Sequence, residues 1–320
     1  MTRLLPALIV VLTSLPAAAQ GRLVVLNKED ATLVTVDPAT RQVLGRVPTG
    51  EAPHEVAVSP DGRTAVVGNY GAQTPGGSLS VIDLVAMKEL HRVDVTPLRR
   101  PHGVAFHGGA VYFTSETNRI VARYDVASSK VDWLFGTGQG GTHMVWVNAD
   151  ASKMITCNIG SDSLSILERG ANAWNQTVVP VGKGPEGFDV SPDGREIWAA
   201  HSRDGGVSIV DVEQKKVTAT FDAQTKRSNR LKFTPDGRTV LISDLDSGDV
   251  VVVDVPSRTI TKRIALGRMV EGILMEPGGA RAYVAVNGDN YVAVLDLKTL
   301  AVTGRIETGR GPDGMAWVGR

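Results

Sequence analysis

One phrase recurs along this chain at an almost constant spacing, and that repetition restricts the possible folds more than any other feature. A run of apolar residues closed by an acid appears as LVTVD ending at Asp37, LSVID at Asp83, VARYD at Asp125 and LSILE at Glu168. It continues as VSIVD at Asp211, VVVVD at Asp254 and VAVLD at Asp296. The intervals are 46, 42, 43, 43, 43 and 42 residues. Leucine-rich repeats are too short for this period, and helical arrays would show a helical spacing of apolar residues. These units are instead short Val/Ile/Leu runs broken by Gly, Pro, Asp and Asn, which is the composition of strands and turns.

Each unit reads as four strands. In the first complete copy, Glu55–Ser59 alternates, Pro60-Asp61-Gly62 supplies a hairpin turn, and Thr64–Gly68 is almost wholly apolar. Ser78–Leu84 carries the recurrent acid, and Glu89–Val95 is the most polar of the four. Pro, Asp and Gly each favour a turn for a physical reason of their own. A continuous apolar strand suits burial on both faces, and a polar one suits the outside. A four-stranded unit of this length is a propeller blade, so the chain is predicted to be an all-β, seven-bladed β-propeller with four antiparallel strands per blade. The ends fit together to close it. Leu23–Leu26, Thr32–Val36 and Val43–Val47 supply three strands of a blade that lacks its innermost one, and Gly314–Val318 supplies an innermost strand with nothing after it. Joined, they remove an open sheet edge.

Residues 1–19 stand outside that ring. Arg3, the apolar stretch Leu4–Leu15 and Ala17-Ala18-Ala19 before Gln20 have the order of a cleaved secretory signal. The apolar stretch is shorter than the roughly 20 residues a membrane-spanning helix needs. The expectation is a secreted or periplasmic protein, without a membrane anchor, whose single domain covers 20–320. Basic and acidic residues balance at 34 each, which removes the electrostatic reason to expect nucleic acid as the main partner. Cys157 is the only cysteine, so no intrachain disulfide forms and a small buried side chain is expected there.

The phrases PHEVAVSPDGRTAVVGNYG (53–71), LSVIDL (79–84) and GPEGFDVSPDGREIWAAHSRDGGVSIVD (184–211) resemble the YVTN-type β-propeller repeat family of secreted and surface-layer proteins. The turn departs from that pattern at HGGA (107–110) and at NADAS (148–152). The resemblance covers the mature chain and implies an architecture and a compartment, not a reaction.

Aligning the copies places one changing residue, the one after Pro in the best-formed units, at the start of every innermost strand. The set is His54, His102, His143, Glu186, Asn229, Glu271 and Asp313. It spans 259 residues, as the acid series does from Asp37 to Asp296. In a propeller that position faces the mouth of the axial channel, so three imidazoles and an axial arc of Glu186, Asn229, Glu271 and Asp313 share one polar ring. Imidazoles and carboxylates suit one divalent transition metal, zinc or copper, with His54, His102 and His143 as the candidate ligands. In that arrangement, which is similar to the three-His axial site of some secreted propeller lyases, Glu186 or Asp313 is the candidate base. A hydrated channel mouth without a metal is the plainer alternative.

The loops entering the ring hold Arg99, Arg100, Lys183, Lys226, Arg227, Arg268 and Arg310, with Arg230 one residue past it. A basic rim of this kind suits a small anionic ligand. Asn27, Asn69, Glu116, Asn158, His201, Asp244 and Asn287 are expected at the same mouth, and the long loop Tyr70–Gly77 is a candidate flap. No CxxCH, GxSxG or Walker pattern is present. Three readings remain: a non-catalytic scaffold that binds a ligand or protein partner through its axial mouth, a metal-dependent lyase or lactone hydrolase, and nucleic-acid binding on the basic rim.

Overall fold

The computed structural model describes residues 21–319, and the expected signal at 1–19 lies outside them. The described residues form twenty-eight strands in seven four-stranded antiparallel sheets. Blade 1 runs outward from the axis as Pro53–Val58, Thr64–Asn69, Ser78–Asp83 and Lys88–Asp94. Blades 2 to 6 follow in chain order, with innermost strands Pro101–His107, Thr142–Val147, Pro185–Val190, Ser228–Phe233 and Val270–Met275. Blade 7 closes the ring as expected: Pro312–Val318 pairs with Arg22–Asn27, which continues into Thr32–Val36 and Val43–Pro48.

The strand order explains the hydropathy pattern. Second strands such as Ala110–Ser115 are buried throughout, while outermost strands such as Lys130–Gly136 alternate exposed and half-buried positions. Because successive side chains point to opposite faces, each blade packs on two neighbours. Leu23 and Val25 of blade 7 meet Tyr283, Val292 and Val294 of blade 6. Val24 and Leu26, one step along, meet Val56, Ala65 and Val67 of blade 1. A fully buried Leu or Val contributes about 1.5–3 kcal/mol, so these inter-blade layers dominate the stability of the ring. Cys157 belongs to one such layer between blades 3 and 4. Burial pushes its thiol up to about 12, so it is a packing residue.

The repeated phrases turn out to be turn chemistry. Asp83 accepts from the N–H groups of Val85 (2.8 Å) and Ala86 (2.9 Å), and Asp37, Asp125, Asp211, Asp254 and Asp296 do the same for their own turns. Glu168, the exception, pairs instead with Lys153 at 3.2 Å and with Lys215. In the SPDGR turn, Ser59 Oγ donates to Asp61 at 2.6 Å and Gly62 takes φ 71°. NADAS reproduces it with other residues: Asp150 accepts from Ser152, and Ala151 takes φ 51°. Among the described residues, no helix is long and apolar enough to cross a membrane.

Candidate functional site at the axial mouth

Every innermost strand carries a β-bulge at its ring residue. In blade 1, Pro53 pairs with Asn69 but Val56 pairs with Val67, so one residue is extra. The same shift falls at His102, His143, Glu186, Asn229, Glu271 and Asp313. A bulge bends its strand and re-aims a side chain. Here it brings all seven residues of the sequence-derived ring around one cavity of about 310 Å³.

A second layer lines the same cup, and the alignment had placed it one residue early. Asn27, Asn69 and Asn158 end their second strands as structural brackets. Asn69 accepts from Gly50 N–H at 3.0 Å and donates to Ser78 and Ser80, and Asn27 and Thr308 bond reciprocally. Asp244 accepts from the backbone of Lys226 and Arg227, and His201 is held by Asp204 at 2.8 Å. The following residue faces the cup: Lys28, Tyr70, Glu116, Ile159 and Leu245 line it. Glu116 was found because its blade was read one residue further along. Lys28 and Tyr70 were missed, although the register of the repeat was the signal that places them.

Three of the ring residues form an imidazole arc. His54 stacks on Tyr70 with ring centres 4.3 Å apart and meets His102 edge-on at 5.0 Å. His102 and His143 lie 3.7 Å apart. Glu116 accepts from Tyr70 OH at 2.6 Å with one oxygen and bonds His143 Nδ1 with the other. Burial alone would raise the Glu116 carboxyl, but His143 and Tyr70 outweigh it and hold it below its ordinary value. Burial and the facing Glu116 push the Tyr70 hydroxyl up, so the shared proton stays on Tyr70. Burial lowers His54 to about 3 and His102 well below the usual range, so both are neutral near pH 7. The set that converges is His102, His143 and Glu116, with one donor atom of each within 4.8 Å of the others. His54 stands beside it rather than in it, stacked on Tyr70.

The opposite arc is acidic and internally paired. Lys28 Nζ lies 2.6 Å from Glu271 and 3.4 Å from Asp313. Asn229 Nδ2 donates to Glu186 at 2.8 Å. Burial and the neighbouring Asp313 charge raise Glu271 to about 7. Burial opposes ionisation of Asp313 too, but Lys28 and Arg230 outweigh it and hold that carboxyl low.

Arg230 is not on the rim as expected: it is buried, and its guanidinium reaches from blade 5 to Glu55 of blade 1, across the axis. The position one past the ring is glycine in four blades, where a Cβ would strike the next innermost strand; at Gly103 it would lie 2.7 Å from His143 O. Glu55, Met144 and Arg230 break that pattern, and the Glu55–Arg230 pair floors the cup. The other rim cations divide. Arg268 pairs with Asp289 at 2.7 Å, Arg310 with Asp30 at 2.8 Å and Lys183 with Asp162 at 3.0 Å, so they are charges with local partners. Arg100 lies over Tyr70 at 4.6 Å, Arg227 lines the cup, and Arg99 and Lys226 are exposed. The Tyr70–Gly77 loop is stitched down rather than free: Gly76 N–H bonds Tyr70 O at 2.8 Å, and Gly71 N–H bonds Glu51 O at 3.0 Å.

The fold and this mouth define a seven-bladed propeller with one polar axial cup. Residues 136–287 match the family model for the Cytochrome D1 heme domain, which supports a β-propeller family. No curated protein matches the chain in sequence. Among solved structures, it is similar to the periplasmic gluconolactonase of Pseudomonas aeruginosa (TM-score 0.75, 20% identity, covering 93% of this chain and 99% of that one). It is also similar to a dihydro-heme d1 dehydrogenase in complex with DHE (TM-score 0.67, 14% identity, 94% and 77%). A third is the hydrazine synthase of Kuenenia stuttgartiensis (TM-score 0.69, 19% identity, 82% and 88%). At these identities the likeness is one of fold.

Proposed function

We propose that this protein is a lactone hydrolase acting on a small, uncharged polyhydroxy lactone bound in the axial cup, in a secreted or periplasmic setting. The observation that supports it is Glu271, a buried carboxyl held at about 7 beside the Lys28 ammonium, facing a polar cup. A general base works best when its pKa lies near the operating pH. A cavity of about 310 Å³ is at the small end of ligand sites, the size for one monosaccharide-like molecule. No Ser, Thr or Cys is among the residues lining it, and in this reading water attacks the lactone directly. Glu271 takes a proton from water, the hydroxide adds to the lactone carbonyl, and the ring C–O bond breaks. Glu271 then returns that proton to the leaving alkoxide, which gives the hydroxy acid and restores the carboxylate. Lys28 is the cation beside Glu271 that faces the developing oxyanion. The base role thus passes from Glu186, which is held by Asn229, and from Asp313, which is held ionised, to Glu271. The Pseudomonas structure's name, a periplasmic gluconolactonase, agrees with this class, and a YVTN-type reading rests on the repeat phrases alone.

The test is acid release from glucono-δ-lactone and related neutral aldonolactones, followed against the uncatalysed rate. Glu271→Gln is expected to lower kcat/KM by about 10²–10⁴-fold with the fold intact. No acceleration by the unaltered protein on any of these lactones would leave the cup to the scaffold reading.

The match to a heme d1 domain family favours a second reading, tetrapyrrole binding. The histidines within 136–287 are His143 and His201, and Asp204 already holds His201. The cup is small for a macrocycle. A Soret band on mixing with heme, lost in His143→Ala, would replace the hydrolase with a heme protein.

A further inference from the structure

We propose that the imidazole arc is a site for one divalent transition-metal ion, held by His102 and His143 with Glu116 as the carboxylate that orients His143. Four observations meet at this place. His102 Nδ1 and His143 Nε2 are buried and have no hydrogen-bond partner. Both side chains are more than nine-tenths buried, with residue exposures of 2% and 6%. An unpaired buried polar atom costs on the order of 1–3 kcal/mol, so two together, on touching rings, mark a missing common partner. A partner for both unpaired ring nitrogens can be one that accepts their electron pairs. An acceptor of two nitrogen lone pairs is a borderline cation of the zinc or cobalt type.

The support behind the rings is the second observation. Glu116 bonds the Nδ1 of His143, and its other oxygen accepts from Tyr70 OH at 2.6 Å. A carboxylate on the far nitrogen of a ligating histidine fixes ring orientation and raises ligand basicity. Tyr70 in turn carries Arg100 over its face at 4.6 Å, so the orienting group is itself held.

Third, the cup has an acid excess. Glu116, Glu186, Glu271 and Asp313 face Lys28, Arg227 and Arg230, and Arg230 is already matched by Glu55. A divalent cation corrects that balance; a small anion would worsen it. Fourth, the three side chains converge, with one nitrogen or oxygen of each within 4.8 Å of the others, which keeps the orienting carboxylate next to the two imidazoles. The rings of His102 and His143 are tilted by 34° at 3.7 Å, so an ion entering between the free nitrogens turns them apart and leaves further positions to water and a carboxylate of the cup. His54, stacked on Tyr70, is outside the ligand set, which changes the three-histidine expectation to two histidines and an orienting carboxylate.

The test is elemental analysis of tag-free mature protein, followed by titration of the metal-stripped protein with Co²⁺ and Zn²⁺. The expected result is about one ion per chain, with Co²⁺ giving ligand-field absorption in the visible. His102→Ala and His143→Ala are each expected to abolish uptake, and His54→Ala to retain it. Glu116→Gln, which preserves size, is expected to weaken affinity about 10–100-fold. It decides the matter if the alanine variants fail to fold. Absence of uptake from either ion by the stripped protein, or full uptake by the His102→Ala/His143→Ala protein, would overturn the site. Metal content is read without turnover, so failure of the lactone reading leaves this proposal standing.

Discussion

Two halves of one ring, built on the same bulge in the same strand, end in opposite electrostatic states. Across blades 1 to 3 the ring residues are imidazoles, and two of their nitrogens are buried with no partner. Across blades 4 to 7 they are acids and an amide. There Lys28 bridges Glu271 and Asp313, Asn229 holds Glu186, and Arg230 spans to Glu55. The backbone supplies the position, and the neighbouring second-layer residue supplies the chemistry. Tyr70 and Glu116 back the imidazole side, and Lys28 backs the carboxylates. One side therefore leaves ring nitrogens unpaired, and the other holds its charges in local pairs. A propeller can vary the two separately, because each blade contributes its own side chain to each layer.

The comparison depends on the ring being closed, and opening it should have the largest effect. Deleting Pro312–Arg320 removes Asp313 and the innermost strand of blade 7, whose packing joins blades 6 and 1. The truncated chain is expected to lose its cooperative melting transition and to aggregate, which size-exclusion chromatography and circular dichroism will show. A monomer with an unchanged transition would mean that the two halves do not need each other.

Arg230→Met is expected to come next. Removing one partner of a buried pair leaves an uncompensated charge and costs about 3–5 kcal/mol, whereas replacing both with apolar groups is often near neutral. Glu55→Leu/Arg230→Met should therefore recover most of the loss in denaturant unfolding. If the double substitution is as unstable as the single one, the pair does more than floor the cup.

Glu271 sets the third effect through pH. Its carboxyl is raised from 4.5 to about 7 by burial and by Asp313, with Lys28 and Arg230 opposing. The folded state then binds a proton that the unfolded state has released, so this group's contribution is fully present below about 4.5 and is lost as pH rises towards about 7. The linked change is on the order of 3 kcal/mol. Asp313 works the other way, because its lowered value gives stability above 3.8 that is lost only in stronger acid. Unfolding free energy measured from pH 4.5 to 7 should fall in the native protein and lose that component in Glu271→Gln. An identical slope in both would assign the effect elsewhere.

The repeat makes most of the ring legible in the sequence, and the bulge hides the rest. Blade number, closure and all seven ring positions followed from the repeat, because a constant period ties equivalent residues to equivalent places. The strand starts were read late: Pro53 and His54 belong to the innermost strand that the alternation begins at Glu55. The bulge breaks the alternation there and hides the strand end. Lys28 and Tyr70 were missed for a related reason. The brackets Asn27 and Asn69 look like polar mouth residues, yet they serve the backbone, and the functional position is the next one. Arg230 was misplaced because sequence adjacency to the ring says nothing about which layer a side chain enters. Only the clash that forces glycine at Gly103, Gly187, Gly272 and Gly314 separates the floor from the mouth.

The smallest effect is expected at the rim, where the comparison is sharpest about what is not part of the site. Arg268, Arg310 and Lys183 are exposed and each already has an aspartate partner. Exposed pairs of this kind contribute little to stability and are screened by salt. Charge already matched locally is also a weak source of the counterion release on which nucleic-acid affinity rests. Neutralising all three to Gln should leave the melting temperature, lactone turnover and metal content unchanged. Binding to a fluorescent oligonucleotide in low salt should be negligible before and after. Should the native protein bind such an oligonucleotide with a steep salt dependence that the triple variant loses, the rim would be a second functional surface, and the paired aspartates would be competitors that the phosphates displace.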